Sequence, residues 1–145
     1  MRKLTVIALT ALTIGLGFSS CKKDKDSNTT FTGTWNVNSM HTKASIGGIP
    51  FEDTTANYKA GDATMTFNED KSFIATDKTD AENNATGTYS LSGNTVTITS
   101  VDMYADTTVI SAQYSISGKN MTLTSSETDA DLNASYELNI SLTKQ

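Results

Sequence analysis

From residue 31 onward, apolar side chains alternate with Thr, Ser and Asn at a spacing of two. Strands buried on one face produce that pattern, and no segment carries a convincing 3.6-residue period. Eight strands are predicted. Trp35 and Val37 mark the first, Met65 and Phe67 the second, Phe73 and Ala75 the third. Tyr89 and Leu91 mark the fourth, Val96 and Ile98 the fifth. The sixth carries Ile110, Ala112, Tyr114 and Ile116, the seventh Met121 and Leu123, the eighth Tyr136, Leu138, Ile140 and Leu142. Thr95, Thr97, Thr99, Thr122, Thr124, Asn139 and Ser141 are expected to face water. A short helical turn between residues 50 and 60 is the most helix the pattern admits.

One line is written twice. "GTYSLSGNTVTITS", from Gly87, returns as "QYSISGKNMTLTSS", from Gln113, with Tyr114 standing 25 residues after Tyr89. In the first copy a two-residue turn at Gly93-Asn94 sets Ser92 opposite Thr95, Leu91 opposite Val96 and Tyr89 opposite Ile98. All the apolar residues then share one face, and Gly at the first central position suits a type II′ turn. In the second copy a four-residue loop, Ser117 to Asn120, keeps the faces consistent, with Ile116 opposite Met121 and Tyr114 opposite Leu123. The same test pairs Phe67 with Phe73 and Met65 with Ala75. The repeat is one hairpin recipe used twice, without the fixed period of a solenoid.

Consecutive strands joined by short turns form a meander, and its apolar face needs a cover. No amphipathic helix is available, so the sheet is expected to close on itself, strand eight against strand one. The fold class is therefore all-β, an eight-stranded antiparallel up-and-down barrel. Such a barrel is filled by side chains or holds one small ligand.

Before residue 31 the chain reads differently. Arg2 and Lys3 precede an apolar run from Leu4 to Phe18, then Ser19, Ser20 and Cys21. A basic start, a 15-residue apolar run and small residues make a secretory signal, too short for a spanning helix. Cys21 is the only cysteine, so no disulfide can form within the chain. Phe18-Ser19-Ser20-Cys21 resembles the bacterial lipobox, with Phe18 where that family prefers Leu. The resemblance implies cleavage before Cys21 and acylation of its thiol. Residues 1–20 are then a lipoprotein signal peptide, 21–30 a flexible tether and 31–145 the barrel domain. The tether, "KKDKDSNTT" after the cysteine, spans roughly 17 Å as a coil, which keeps the domain close to its membrane. The expected address is the cell envelope, lipid-anchored, in the outer membrane of a Gram-negative bacterium.

Charge narrows the partners. Removing the signal takes Arg2 and Lys3 from the 11 basic residues and leaves nine lysines against 16 acidic residues, a balance of −7. An acidic chain without arginine is a poor phosphate-backbone binder, so nucleic acid is set aside.

Little else points to chemistry. His41 is the only histidine and stands at the end of the first strand, where it reads as a surface residue. With no second His and no thiol to spare, no metal or cofactor is expected. "DADLN", Asp129 to Asn133, has oxygens at positions 1, 3 and 5, but Ala134 and Ile140 replace the Gly and Glu of a calcium loop. "DKTDAENN", Asp77 to Asn84, reads as a solvated turn. Asp53-Thr54-Thr55 and Asp106-Thr107-Thr108 resemble short bacterial O-glycosylation triplets and read as surface loops. No nucleophile–base constellation can be drawn, so an enzyme is not expected.

Gly33-Thr34-Trp35 near the start of the first strand resembles the G-x-W motif of lipocalins. Followed by "ATMTFNEDKSF" and "GTYSLSGNTVTIT", it resembles the small bacterial lipocalin-like lipoprotein domains more closely still. The resemblance implies a barrel with Trp35 packed across its closed end. The departures are three. The mature chain has no arginine to lie over Trp35, no helix follows strand eight, and Lys71 stands where the turn commonly has Gly.

Two readings share this fold. In one, the barrel holds a small apolar ligand among Met65, Phe67, Phe73, Tyr89, Ala112, Tyr114 and Tyr136, the tyrosine hydroxyls orienting it. In the other, the core is packed and an envelope accessory protein makes contacts through the 42–62 loop. That loop holds "IGGIPF", and Ile46, Ile49 and Phe51 are expected as a lid folded over the barrel mouth. A cavity above roughly 300 Å³ favours the first reading, a filled core the second.

Overall fold

The computed structural model describes residues 30–145. Nine strands lie among them: β1 (Gly33–Ile46), β2 (Ile49–Asn57), β3 (Ala63–Phe67), β4 (Ser72–Asp77), β5 (Ala85–Ser92), β6 (Thr95–Asp102), β7 (Thr107–Ser117), β8 (Asn120–Asp129) and β9 (Ala134–Lys144). One turn of 3₁₀-helix, Ala81–Asn83, joins β4 to β5. All neighbours are antiparallel, in the order β2-β1-β3-β4-β5-β6-β7-β8-β9, and β1 also pairs with β9. That last pairing closes an up-and-down barrel of eight strands, β1 and β3 to β9.

The hairpin registers follow the side-chain alternation. Leu91 pairs with Val96 and Tyr89 with Ile98. Ile116 pairs with Met121, Tyr114 with Leu123, Phe67 with Phe73 and Met65 with Ala75. One loop is shorter than its sequence suggests. Ser117 pairs with Asn120, so the β7–β8 turn is two residues, Gly118-Lys119, the same length as Gly93-Asn94. Gly93 and Gly118 take φ of 57° and 59°, as the first position of a type II′ turn requires.

The segment 42–62 corrects the expectation of a loop. β1 is long, about 45 Å at the usual rise. Its first half, Gly33 to Asn36, pairs with β3, and its second half, from Ser39 to Ile46, pairs with β2. β9 runs along its other edge throughout. Together β2, β1, β9 and the end of β8 form a sheet that overhangs the barrel. Gly47 and Gly48, with φ of 61° and 76°, make the turn, and two positive φ values in succession are the requirement of a two-residue hairpin. Residues 50–60 contain no helix. Ile46, Ile49 and Phe51 are 55%, 73% and 64% exposed, so they stand out on the overhang instead of folding down as a lid.

A bulge sets which face of β1 looks inward. Val37 pairs with Leu142 and Ser39 with Ser141, leaving Asn38 over. An extra residue reverses the alternation. Trp35 and Val37 point in before it, and Met40 and Ala44 after it, so one strand lines both the barrel and the overhang.

The core is continuous, with Trp35, Phe67, Met121, Leu142 and Val96 fully buried. Around Trp35 the rings pack closely. Phe31 lies 4.6 Å from Phe67 and 4.8 Å from Tyr114, and Tyr89 lies 5.2 Å from Phe67. These aromatic rings plug one end of the barrel, where the chain enters at Phe31.

Candidate ligand site at the barrel mouth

The closed end uses up its polar groups. Trp35 Nε1–H donates to the Phe31 carbonyl at 3.0 Å. The Tyr89 hydroxyl donates to the Asn68 carbonyl at 2.8 Å, and the Tyr114 hydroxyl to the Gly93 carbonyl at 3.1 Å. Burial pushes the Tyr89 phenol up, helped by Asp70 and Glu69. Phe67, Tyr89 and Tyr114 are therefore parts of the plug, with the two hydroxyls committed to turn carbonyls. Gly33 sits beside them at φ 123°, where a Cβ would come within 3.2 Å of Lys144 Cε.

Above the plug the side chains shrink and a cavity of about 130 Å³ remains. Met65, Phe73, Ala112, Leu123, Leu138 and Ile140 line it. Its polar wall is Ser100 and Ser125. The buried Ser125 hydroxyl is already engaged, donating to the Ser111 carbonyl at 2.8 Å. An apolar cavity of ~150 Å³ is dry and holds a benzene-sized group, so this one has room for a ring or a short alkyl segment. It falls well short of the ~300 Å³ of a typical ligand pocket.

The inner face does not stop there. β8 carries Ser125, then Glu127 and Asp129, and β9 runs back from Leu138 to Tyr136 and Ala134, all in step by the period-two alternation. Opposite them on β1 are Thr42, Ala44 and Ile46. Of these, Ala44, Ile46, Glu127, Asp129, Ala134 and Tyr136, with Phe51 from β2, line an open groove of about 650 Å³ on the overhang. Cavity and groove thus share strands β8 and β9 and one continuous face.

Of the seven residues expected around a ligand, Met65, Phe73 and Ala112 line the cavity and Tyr136 lines the groove. Phe67, Tyr89 and Tyr114 pack at the closed end. The groove residues Ala44, Phe51, Glu127 and Asp129 were not legible as a site. The Gly47-Gly48 pair was the available signal, since it implies a hairpin.

The remaining candidates lie away from the cavity or in turns. His41 lies mid-strand in β1, and its Nε2 sits 2.8 Å from Asp53 Oδ1 on the outer surface. That hydrogen bond holds the Asp53 carboxyl below its ordinary range. Asp129 Oδ1 accepts the backbone N–H groups of Asp131 and Leu132, which makes "DADLN" a tight turn. Asp77 is buried and accepts from Thr79, Asp80 and Asn83. Thr54 and Thr55 are exposed on β2, and Thr107 and Thr108 at the start of β7. No cluster of potential metal ligands occurs among the described residues. Cys21 lies outside them.

No curated protein and no solved structure matches the chain significantly. The family model for a lipocalin-like domain matches residues 31–123. That match runs from Phe31, at the plug, to Leu123 in the cavity wall, and the chain belongs to the lipocalin-like domain family.

Proposed function

We propose that this is a lipid-anchored envelope protein that binds a small, elongated apolar ligand at the mouth of its barrel. One observation carries the reading: the inner face continues from the cavity onto the overhang, apolar along β9 and β1 at Leu138, Tyr136, Ala134, Ala44 and Ile46. A ligand would place a ring or the end of a chain in the cavity and lay its body along Ala44, Ile46 and Tyr136. The cavity alone is too small for the whole of such a molecule.

The anchor sets the orientation. Acyl chains on Cys21 would hold the domain through a tether that enters at Phe31, on the closed end. Lys71, Lys119 and Lys144 lie at that same end, in the β3–β4 turn, the β7–β8 turn and the last position of β9. With Glu69 and Asp70 in the same β3–β4 turn, that end carries three ammonium groups against two carboxylates, a small positive excess toward an anionic lipid surface. The mouth then faces away from the anchoring membrane and takes its ligand from the aqueous side.

A neutral apolar fluorescent probe tests the binding. Uptake by the wild type and its loss in Ala112→Leu, with melting little changed, is the expected result. No uptake by the wild type overturns the reading. The second reading, an accessory protein that docks a partner on the β1–β2 hairpin, draws on the exposure of Ile49 and Phe51 and would gain from that result. Cys21→Ala tests the anchor: the wild type should partition with membranes and the variant should not.

A further inference from the structure

The groove has an apolar floor and an acidic rim. Ala44, Ile46, Phe51 and Tyr136 supply the floor, and Glu127, Asp129 and Asp131 line the same groove. No lysine or histidine among the described residues pairs with any of the three carboxylates; the one ion pair found there is His41–Asp53. The nearest lysine along the sheet, Lys43, lies between Asp53 and Glu137 in the register and so on the outer face. One oxygen of Asp129 is engaged by its turn, but only with backbone N–H groups, so its charge is not cancelled.

The surroundings are net negative. The β4–β5 turn brings Asp80 and Glu82 to the mouth, the β6–β7 turn Asp102 and Asp106, and the β2–β3 turn Asp62, against two cations, Lys59 and Lys78. An excess of one sign around a low-dielectric cleft concentrates its field there. The lysines of the closed end sit at the far end of the barrel. Glu69 and Asp70 share that end, which keeps a small positive excess, while the apolar opening is net negative.

We infer that the ligand is a cationic amphiphile: a small molecule with an apolar tail and an amine or other positive head. The tail enters the cavity beyond Leu138, and the head rests among Glu127, Asp129 and Asp131. The inference rests on the ligand-binding reading and adds the sign of the head group. An anionic amphiphile, such as a fatty acid, would bring a carboxylate against three others and be disfavoured. A neutral one would forgo the charge-assisted contact.

Three probes with one tail separate these cases: n-octylammonium, n-octanol and n-octanoate, titrated by calorimetry into the full chain carrying Cys21→Ala. Octylammonium should bind at least about tenfold more tightly than octanol, and octanoate least, with the advantage shrinking as salt screens it. The triple variant Glu127→Gln, Asp129→Asn, Asp131→Asn should bring octylammonium down to the affinity of octanol and leave octanol unchanged. A second triple variant, Glu69→Gln, Asp70→Asn, Glu137→Gln, removes equal charge elsewhere and should preserve the preference. Equal binding of all three probes, or equal loss in both triple variants, would overturn the inference while leaving an apolar site in place. Failure of all three to bind would overturn the ligand-binding reading itself.

Discussion

Lys144 Nζ stands 5.3 Å from the centre of the Trp35 ring. The same ammonium donates to the Thr30 carbonyl at 2.9 Å and lies 3.0 Å from its hydroxyl. The last strand therefore supplies the cation over the tryptophan that the absence of a late arginine seemed to rule out, and it ties the entering chain to the closing seam. Lys144→Ala should cost about 1 kcal/mol, since an exposed cation–π contact is worth ~0.5–1 kcal/mol. Trp35→Ala should cost about 3–5 kcal/mol because the ring is fully buried. Urea unfolding of both single variants and the double variant gives the coupling. A coupling near zero would show that the two side chains act independently.

Gly87 sits on β5 opposite Ser100, where the backbone of β6 passes close. A Cβ there would lie 1.9 Å from the Thr99 carbonyl oxygen, so the backbones of β5 and β6 would have to separate. Gly87→Ala should destabilise the barrel by about 1–3 kcal/mol. Ser90→Ala, at an exposed position on the same strand, should change it far less. Thermal melting of the two variants checks the contrast.

Asp77 gives the fold an acid sensitivity. Burial opposes ionisation of its carboxyl, but hydrogen bonds from Thr79, from Asn83 and from the Thr79 and Asp80 backbone outweigh it, so its pKa lies below the ordinary 3.8. A depressed folded pKa adds stability above the unfolded value and loses it as pH falls through the folded one. Asp77→Asn should cost about 1–3 kcal/mol near pH 7. The gap between variant and wild type should narrow as pH drops below ~4. Urea midpoints at pH 7, 5, 3 and 2 test this, and a gap independent of pH would remove the carboxylate from the account.

Filling the cavity separates packing from binding. Ala112→Leu adds carbons to a wall that faces about 130 Å³ of space, so its melting temperature should stay near that of the wild type. A loss of more than about 3 kcal/mol would mean that the interior cannot take the added volume.

The barrel was legible because its inner face is buried and a buried face imposes a period of two. Leu91 with Val96, Ile116 with Met121 and Phe67 with Phe73 could be paired from the chain alone, since any slip by one residue turns apolar side chains to water. Closure of β9 on β1 followed from the lack of any other cover. β2 was not legible for the same physical reason in reverse. Nearly all of its residues are exposed, so no burial imprinted an alternation on Ile49 to Asn57. Two further features depend on contacts distant in sequence. The bulge at Asn38 decides that Ala44 shares a face with Leu138, and strand length at the seam brings Lys144 over Trp35. The seven side chains expected around one ligand divide between plug, cavity and groove because a strand can be assigned a face from its sequence, whereas depth along the barrel axis is set by how staggered neighbours meet.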